Sequence, residues 1–582
     1  MSGAGEQDPS FDRAALEGAL ARAPDDPELL HRLGVHCCRS GDFRSGAGHF
    51  RRALLVAPSD AIRLDLARAL LALGQPGEAD ALCAHCSGDD PEAMRVRAYA
   101  AQALGRGAAA LALYGRLVDA VPEDFEAWTN LGGARLAAGD ATSAIAAFEC
   151  AAALRPDLPV THFNLATAAV EAAEFDVAER NYRAALALKP DLLPAWLALG
   201  AVQESRNRGQ ALAAILDEAR AAGIPERDLG FLRAQSLRRQ GRFEEALASA
   251  KAAPATADPA EKARLIGELH DRLGREADAF AAFREMNRID AGHPSNPRAL
   301  AAEYRRQLGE VAALTTPAWF AGWKPVERDG ARPAPVFLVG FPRSGTTLLD
   351  TFLMGHPDVV VLEERPLLER VNGALGGGLD RLAGLGQGEV DALRARYFAE
   401  LEALAPGAEG KLVVDKYPLA IGLAALIHRL FPDARFIFAE RHPCDVVLSC
   451  YMTRFRLNRG SANFLDLGDA ARLYDLVLDY WQRARGVFPL DVREVRYERL
   501  VEDPESVLRP LSAFLGLVWN DRLLDNRGTA AARDYIGSPS YAQVAEPVHR
   551  RAAGRWVRYR RELEPVLPVL LGWAEKLGYP AA

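Results

Sequence analysis

An α-solenoid followed by an α/β domain on a parallel sheet is the fold the sequence predicts, and three observations predict it. A pattern of small and aromatic residues recurs with a period of about 34 through the first half of the chain. From Val336 the texture changes to short apolar runs alternating with helical stretches. The first of those runs, VFLVG, leads through the glycine-spaced loop FPRSGTT into the apolar helix TTLLDTFLMG, the strand–loop–helix context of a P-loop-like phosphate site.

The repeated part is clearest in two segments that align on Gly-Asp turns, Gly41-Asp42 and Gly139-Asp140. In that frame Leu30 meets Trp128, Gly34 meets Gly132, Phe50 meets Phe148 and Pro58 meets Pro156. The next unit follows with His162, Leu165, Ala166, Ala178, Tyr182 and Pro190, and weaker copies surround Gly74, Gly105, Gly241 and Gly274. Small residues at the eighth and twentieth positions let two helices approach, an aromatic at the twenty-fourth fills the gap between units, and proline stops the second helix. The pattern resembles the tetratricopeptide repeat. About eight units over 27–290 then predict a superhelix of helix pairs with a concave surface for a protein or peptide partner. Residues 1–26 are expected to be a cap or flexible segment, and 291–335 a helical linker closed by ERDGARPAP.

Composition narrows the function. The chain has 582 residues and a net charge of −8, which disfavours a general nucleic-acid binder. No stretch approaches the ~20 apolar residues of a membrane span, and the first residues lack the pattern of a secretory signal. Seven cysteines in so long a chain are no disulfide framework, and Cys83 and Cys86, a C-x-x-C without further ligands at metal spacing, read as ordinary helix cysteines. A cytoplasmic location is the expectation.

In residues 336–582 the runs VFLVG, LVVDK, RFIFAE and EVRYE predict parallel strands, whose carboxyl ends carry Arg343 to Thr347, Lys416, Arg441 and Tyr497. Backbone N–H groups at a helix start bind anions, and Arg343, Ser344, Thr346 and Thr347 add donors around Gly345. The lysine of the familiar nucleotide loop is replaced by Thr346. A second phosphate site is expected from Arg441 at a strand end and Ser449 on the following helix, with Asp445 as that helix's cap or first turn.

PRSGTTLL, RHPCDVVLS and VRYERLVEDP together resemble a sulfotransferase using 3′-phosphoadenosine 5′-phosphosulfate, and among these the tyrosylprotein sulfotransferases. The resemblance covers about 335–575. It implies that Arg343, Ser344, Gly345, Thr346 and Thr347 hold the 5′-phosphosulfate, that Arg441 and Ser449 hold the 3′-phosphate, and that Tyr497 contacts the donor without a metal. It implies Glu364 of the pair Glu363-Glu364 as catalytic base, with Lys416, Arg343 and Ser540 stabilising charge in the transition state, and places Arg555 where the family has a donor-binding lysine. Three departures accompany it. Thr453 stands for a donor-contacting arginine, with Arg454 adjacent; Pro366 replaces an arginine that grips acidic peptides; Val361 and Val414 replace paired cysteines of secretory members. His356 and His442 are read as structural rather than as rival bases. Three readings of the whole chain follow: transfer to a protein hydroxyl, with repeats presenting the acceptor or a partner; transfer to a carbohydrate, lipid or small molecule; and a repeat scaffold joined to an inactive nucleotide fold.

Overall fold

The computed structural model describes residues 13–254, 258–327, 332–376, 378–533 and 548–580. The chain divides into two compact units, Met1–Val202 and Gln203–Ala582.

In the first unit, α1 (Arg13–Arg22) precedes α2 (Pro27–Arg39) and α3 (Phe43–Val56), α4 (Asp60–Ala72) and α5 (Pro76–Cys83), α6 (Pro91–Ala103) and α7 (Gly107–Ala120), α8 (Phe125–Ala137) and α9 (Ala141–Leu154), and α10 (Pro159–Glu171) and α11 (Phe175–Leu188). The division between the units falls within α12 (Leu193–Ser205). The Gly-Asp turn explains the hairpins. Gly139 takes φ 82°, open to glycine at little cost. Asp140 then caps α9 by accepting from Ser143 N at 3.0 Å, as Asp42 caps α3 from Ser45 N at 3.1 Å. Close approach explains the other glycine of the motif: a Cβ on Gly132 would lie 2.7 Å from the Phe148 ring. Left-handed residues recur once per helix pair at Gly41, Gly74, Gly105, Gly139, Ala173, Asn207, Gly241 and Gly274. At the N-terminal end, Leu16 and Leu20 of α1 share a core with Leu30, Leu33 and Phe50. Cys83 and Cys86 are buried in that core, and burial pushes the Cys83 thiol up to about 12.

The second unit continues with α13 (Gly209–Ala221), α14 (Gly230–Arg239), α15 (Phe243–Ala252), α16 (Pro259–Arg272) and α17 (Glu276–Ala291), then α18 (Pro297–Leu314) and α19 (Pro317–Ala321). Next come β1 (Val336–Gly340), α20 (Thr346–Met354), β2 (Val359–Glu363), α21 (Leu367–Ala374), α22 (Gln387–Leu404), β3 (Leu412–Lys416), α23 (Ala424–Leu430), β4 (Arg435–Glu440), α24 (Pro443–Tyr451), α25 (Leu467–Val487), β5 (Asp491–Arg496) and α26 (Tyr497–Glu502). The five strands form one parallel sheet in the order β2-β3-β1-β4-β5. β2, absent from the strands expected of the sequence, is an edge strand with only Val359 and Leu362 fully buried.

Alternation along the strands covers both faces of the sheet. Phe337, Val339, Phe436 and Phe438 face one core, while Val336, Leu338, Ile437 and Ala439 face the other. The first core extends through Leu308 of α18 to Phe283 and Met286 of α17. Repeat-like helices and sheet therefore share one apolar interior, although the sequence changes texture only near 335.

Candidate functional site

Each strand of the sheet delivers one chemically active residue at its carboxyl end: Arg343 three residues beyond β1, Glu364 after β2, Lys416 closing β3, Arg441 after β4 and Tyr497 after β5. The strand order reverses about β1, and the loops after β1 and β4 diverge there to leave the crevice in which open α/β sheets bind ligands. Arg343, Gly345, Thr346, Thr347, Glu364, Arg441 and Tyr497 line one cavity of about 350 Å³.

The loop after β1 is shaped by two left-handed residues, Arg343 (φ 70°) and Gly345 (φ 98°). A non-glycine residue there is strained, and such strain persists where the surroundings hold it. Arg343 Nε donates to Ser449 Oγ at 3.1 Å, and Arg441 Nη1 donates to Arg343 O at 2.9 Å. The two expected phosphate sites are thus one connected cluster. Arg441 also lies over the Tyr497 ring, 4.7 Å from its centroid, and donates to Ala552 O. Burial, with Arg441 and Arg555 nearby, pulls Arg343 down to about 10. Among the described residues neither Ser344 Oγ nor Arg441 Nε has a hydrogen-bond partner, although both are buried. Buried polar atoms of this kind at a helix N-terminus fit a phosphate-bearing ligand.

Gly345 is irreplaceable for two reasons. Its φ excludes most side chains, and a Cβ there would lie 2.5 Å from Tyr497 Cδ2. Gly345→Ala is expected to lower stability by about 1–3 kcal/mol. Nucleotide affinity should fall about tenfold. Thermal unfolding and calorimetric titration of the same sample check both.

On the other wall, Glu364 also adopts a left-handed backbone (φ 50°), fixed by its N–H donating to Lys416 O at 2.7 Å. Its side chain is 37% exposed, against 12% for Glu363. Glu363 instead turns inward to Arg533 and Lys416. Lys416, expected to stabilise the transferring sulfonate, is held by carboxylates in this structure. It is 0% exposed, is not on the cavity wall, and has Nζ 2.9 Å from Glu364, 3.3 Å from Glu363 and 3.2 Å from Asp350. Burial alone would lower its pKa; Asp350, Glu364 and Glu363 together hold it above the usual lysine range. Burial raises the Asp350 carboxyl, with Lys416 opposing.

Asp445 lies in the first turn of α24, yet the cap is His442, whose Nδ1 accepts from Cys444 N at 3.3 Å. The Asp445 carboxylate accepts from Gly554 N and Trp556 N at 2.7 and 2.8 Å. His356 uses both ring nitrogens, on Val518 O and Asp358 N, as a structural residue does. Arg454 is committed to Asp290 and Asp258, so it does not replace the arginine that Thr453 lacks. Arg555 is not on the cavity wall; it pairs with Asp271 at 2.9 Å. Val361 and Val414 face each other in register on β2 and β3. Ser540 lies outside the described residues.

Sequence reasoning missed Asp350, Arg533 and the aromatic end of the cavity, where Tyr304 of α18, Tyr417, Phe455 and Phe464 stand with Glu369. Asp350 had a signal, a carboxylate on the buried face of an apolar helix. Arg533 and Tyr304 had none.

A sulfotransferase family model matches residues 335–521. A tetratricopeptide repeat model matches 95–159 and 231–294. An uncharacterized protein of Aquifex aeolicus is 29% identical over 260 residues, 42% of this chain and 33% of its own length. The protein-tyrosine sulfotransferase of Drosophila melanogaster is 27% identical over 269 residues, 40% of this chain and 51% of its own. The chain thus spans between a third and about half of the length of these two relatives. Among solved structures, the sulfotransferase domain of the Synechococcus PCC 7002 olefin synthase is 24% identical, covering 44% of this chain and all of that one, with a TM-score of 0.32.

Proposed function

We propose, for a chain that carries tetratricopeptide repeats and a sulfotransferase-family domain, that it moves a sulfuryl group from 3′-phosphoadenosine 5′-phosphosulfate to an acceptor hydroxyl, a protein tyrosine being the acceptor the cavity favours. The observation that carries the reading is the joined cluster of Arg343, Ser449 and Arg441, of which Arg343 and Arg441 stand on the cavity that Glu364 also lines. Two phosphate-binding groups side by side suit a nucleotide with phosphates at both 3′ and 5′ positions. The donor supplies an activated sulfur–oxygen bond; the residues bind, orient and move a proton.

In this reading the Gly345–Thr347 loop and the start of α20 hold the 5′ end, and Arg441 with Ser449 holds the 3′-phosphate. Glu364 takes the acceptor proton as the oxygen attacks sulfur in line and the bond to the phosphate oxygen breaks. A phenol, with a pKa of about 10, needs such a base near neutral pH. Arg343 stabilises charge on the departing phosphate, and Ser540 is assigned the same task. Lys416 acts one step back, holding the Glu364 carboxylate at 2.9 Å. Aromatic walls at Tyr304, Tyr417 and Phe464 favour a phenol. Glu369 beside them, in a chain with Pro366 in place of an arginine, disfavours strongly acidic acceptors. The repeats are assigned to a protein partner or acceptor.

Thermal shift tests the donor. Adenosine 3′,5′-bisphosphate is expected to raise the melting temperature and ATP to leave it unchanged; stabilisation by ATP alone would sink the assignment. Transfer of labelled sulfate into a cell lysate tests the acceptor, with label in the protein fraction as the expected result and label confined to glycan or lipid fractions as the contrary one.

A further inference from the structure

The last repeat pair holds the phosphate cluster from two sides. α17 grips the C-terminal end of α24, the helix that bears Ser449. Asn287 Nδ2 donates to Tyr451 O at 2.9 Å, Phe280 stacks on Tyr451 with centroids 5.1 Å apart, and Asp290 accepts from Arg454 at 2.9 and 3.1 Å. α16 grips the segment that closes the cluster from the far end of the chain. Its Asp271 takes Arg555 at Nη2 (2.9 Å) and Nε (3.3 Å), and also accepts from Tyr559 at 2.7 Å and from Arg558 at 3.2 Å.

The backbone around Arg555 is fastened to the cluster, not to the repeat. Gly554 N and Trp556 N donate to Asp445 of α24, and Ala552 O accepts from Arg441. Arg555 therefore bridges two bodies: its main chain belongs to the phosphate cluster and its guanidinium to α16. Asp271 occupies the Nε–Nη2 edge of that guanidinium as a fork, which leaves the Nη1 side. The positive charge of Arg555 is felt at Arg343, as is that of Arg441. With its main chain fastened beside Asp445 and Arg441, Arg555 adds positive charge close to the Arg343–Arg441 pair, and an anion of high charge relieves the repulsion.

We propose that Asp271 is a positioning residue for the donor's 3′-phosphate, acting by fixing Arg555, and that the last repeat is thereby a working part of the donor site. The proposal rests on the donor reading above. It assigns to the repeat a task besides any partner it binds: setting how strongly the enzyme distinguishes a nucleotide with a 3′-phosphate from one without.

The experiment compares adenosine 3′,5′-bisphosphate with adenosine 5′-monophosphate by calorimetric titration on the full chain. The wild-type chain is expected to prefer the bisphosphate. Fixing one long side chain in advance is worth about 0.5–1.5 kcal/mol, so Asp271→Asn should reduce that preference about 2- to 10-fold. Affinity for the monophosphate should stay as it was, and Asp271→Glu, which keeps a carboxylate for Arg555, should recover most of the loss. An unchanged preference in Asp271→Asn, or an equal loss for both nucleotides, would overturn the positioning role. A wild-type chain without any preference for the bisphosphate would instead overturn the donor reading, and the two failures are told apart in one set of titrations.

Discussion

Glu364→Gln is expected to lower the rate of sulfuryl transfer by about 10²- to 10⁴-fold, the usual worth of a general base. Adenosine 3′,5′-bisphosphate binding should be unchanged, because the side chain touches the acceptor end of the cavity. The amide keeps the shape and can still accept from Lys416 Nζ, so the 2.9 Å contact survives without the proton acceptor. Glu363→Gln is the contrasting variant. Glu363 pairs inward with Arg533 and Lys416, and its loss should show as lower stability before lower chemistry. Single-turnover rates alongside calorimetric binding check both. Full activity in Glu364→Gln would remove this residue as the base.

Lys416→Met should fail in a different manner. Its ammonium is wholly enclosed and compensates Asp350, Glu363 and Glu364 at once. Deleting one partner of a buried ion cluster strands the others, at a cost of about 3–5 kcal/mol. The variant is expected to unfold at lower denaturant and to lose activity, since Glu364 is no longer held in place. Adding Asp350→Asn removes one stranded carboxylate from the 0%-exposed site and should restore part of the stability without restoring transfer. Denaturant midpoints and transfer rates on the single and double variants separate the two effects. If Lys416→Met unfolds normally and loses only activity, the lysine works at the reacting atoms, as the family resemblance implies.

Much of the candidate site was legible because its signals are local. The candidate phosphate loop needs a strand, a glycine in a left-handed conformation and a helix start, all within a dozen residues of Gly340. Arg441 just precedes the cap of α24 and Ser449 lies within that helix eight residues on, so both signals fall in one short stretch of chain. Glu364 required the resemblance, since a Glu-Glu pair reads as a solvated surface until something places it at the end of β2. That strand is not among the expected ones, although Val359 to Leu362 form a continuous apolar run.

The solenoid was determined by the sequence. A hairpin of two helices is set by a turn, a cap and a close contact, and each recurs within about 34 residues. Gly139, Asp140, and the pair Gly132 and Phe148 are legible without any distant partner. The backbone of the loop after β1 was determined in the same way. Only the tertiary structure decided that Lys416 faces three carboxylates and not the cavity, that Arg454 is spent on Asp290, and that Arg555 answers to a residue 284 positions earlier. The reason is physical. Backbone conformation and helix packing within a repeat depend on neighbours in the chain, whereas the charge a buried group feels depends on every side chain folded around it, however far away in sequence.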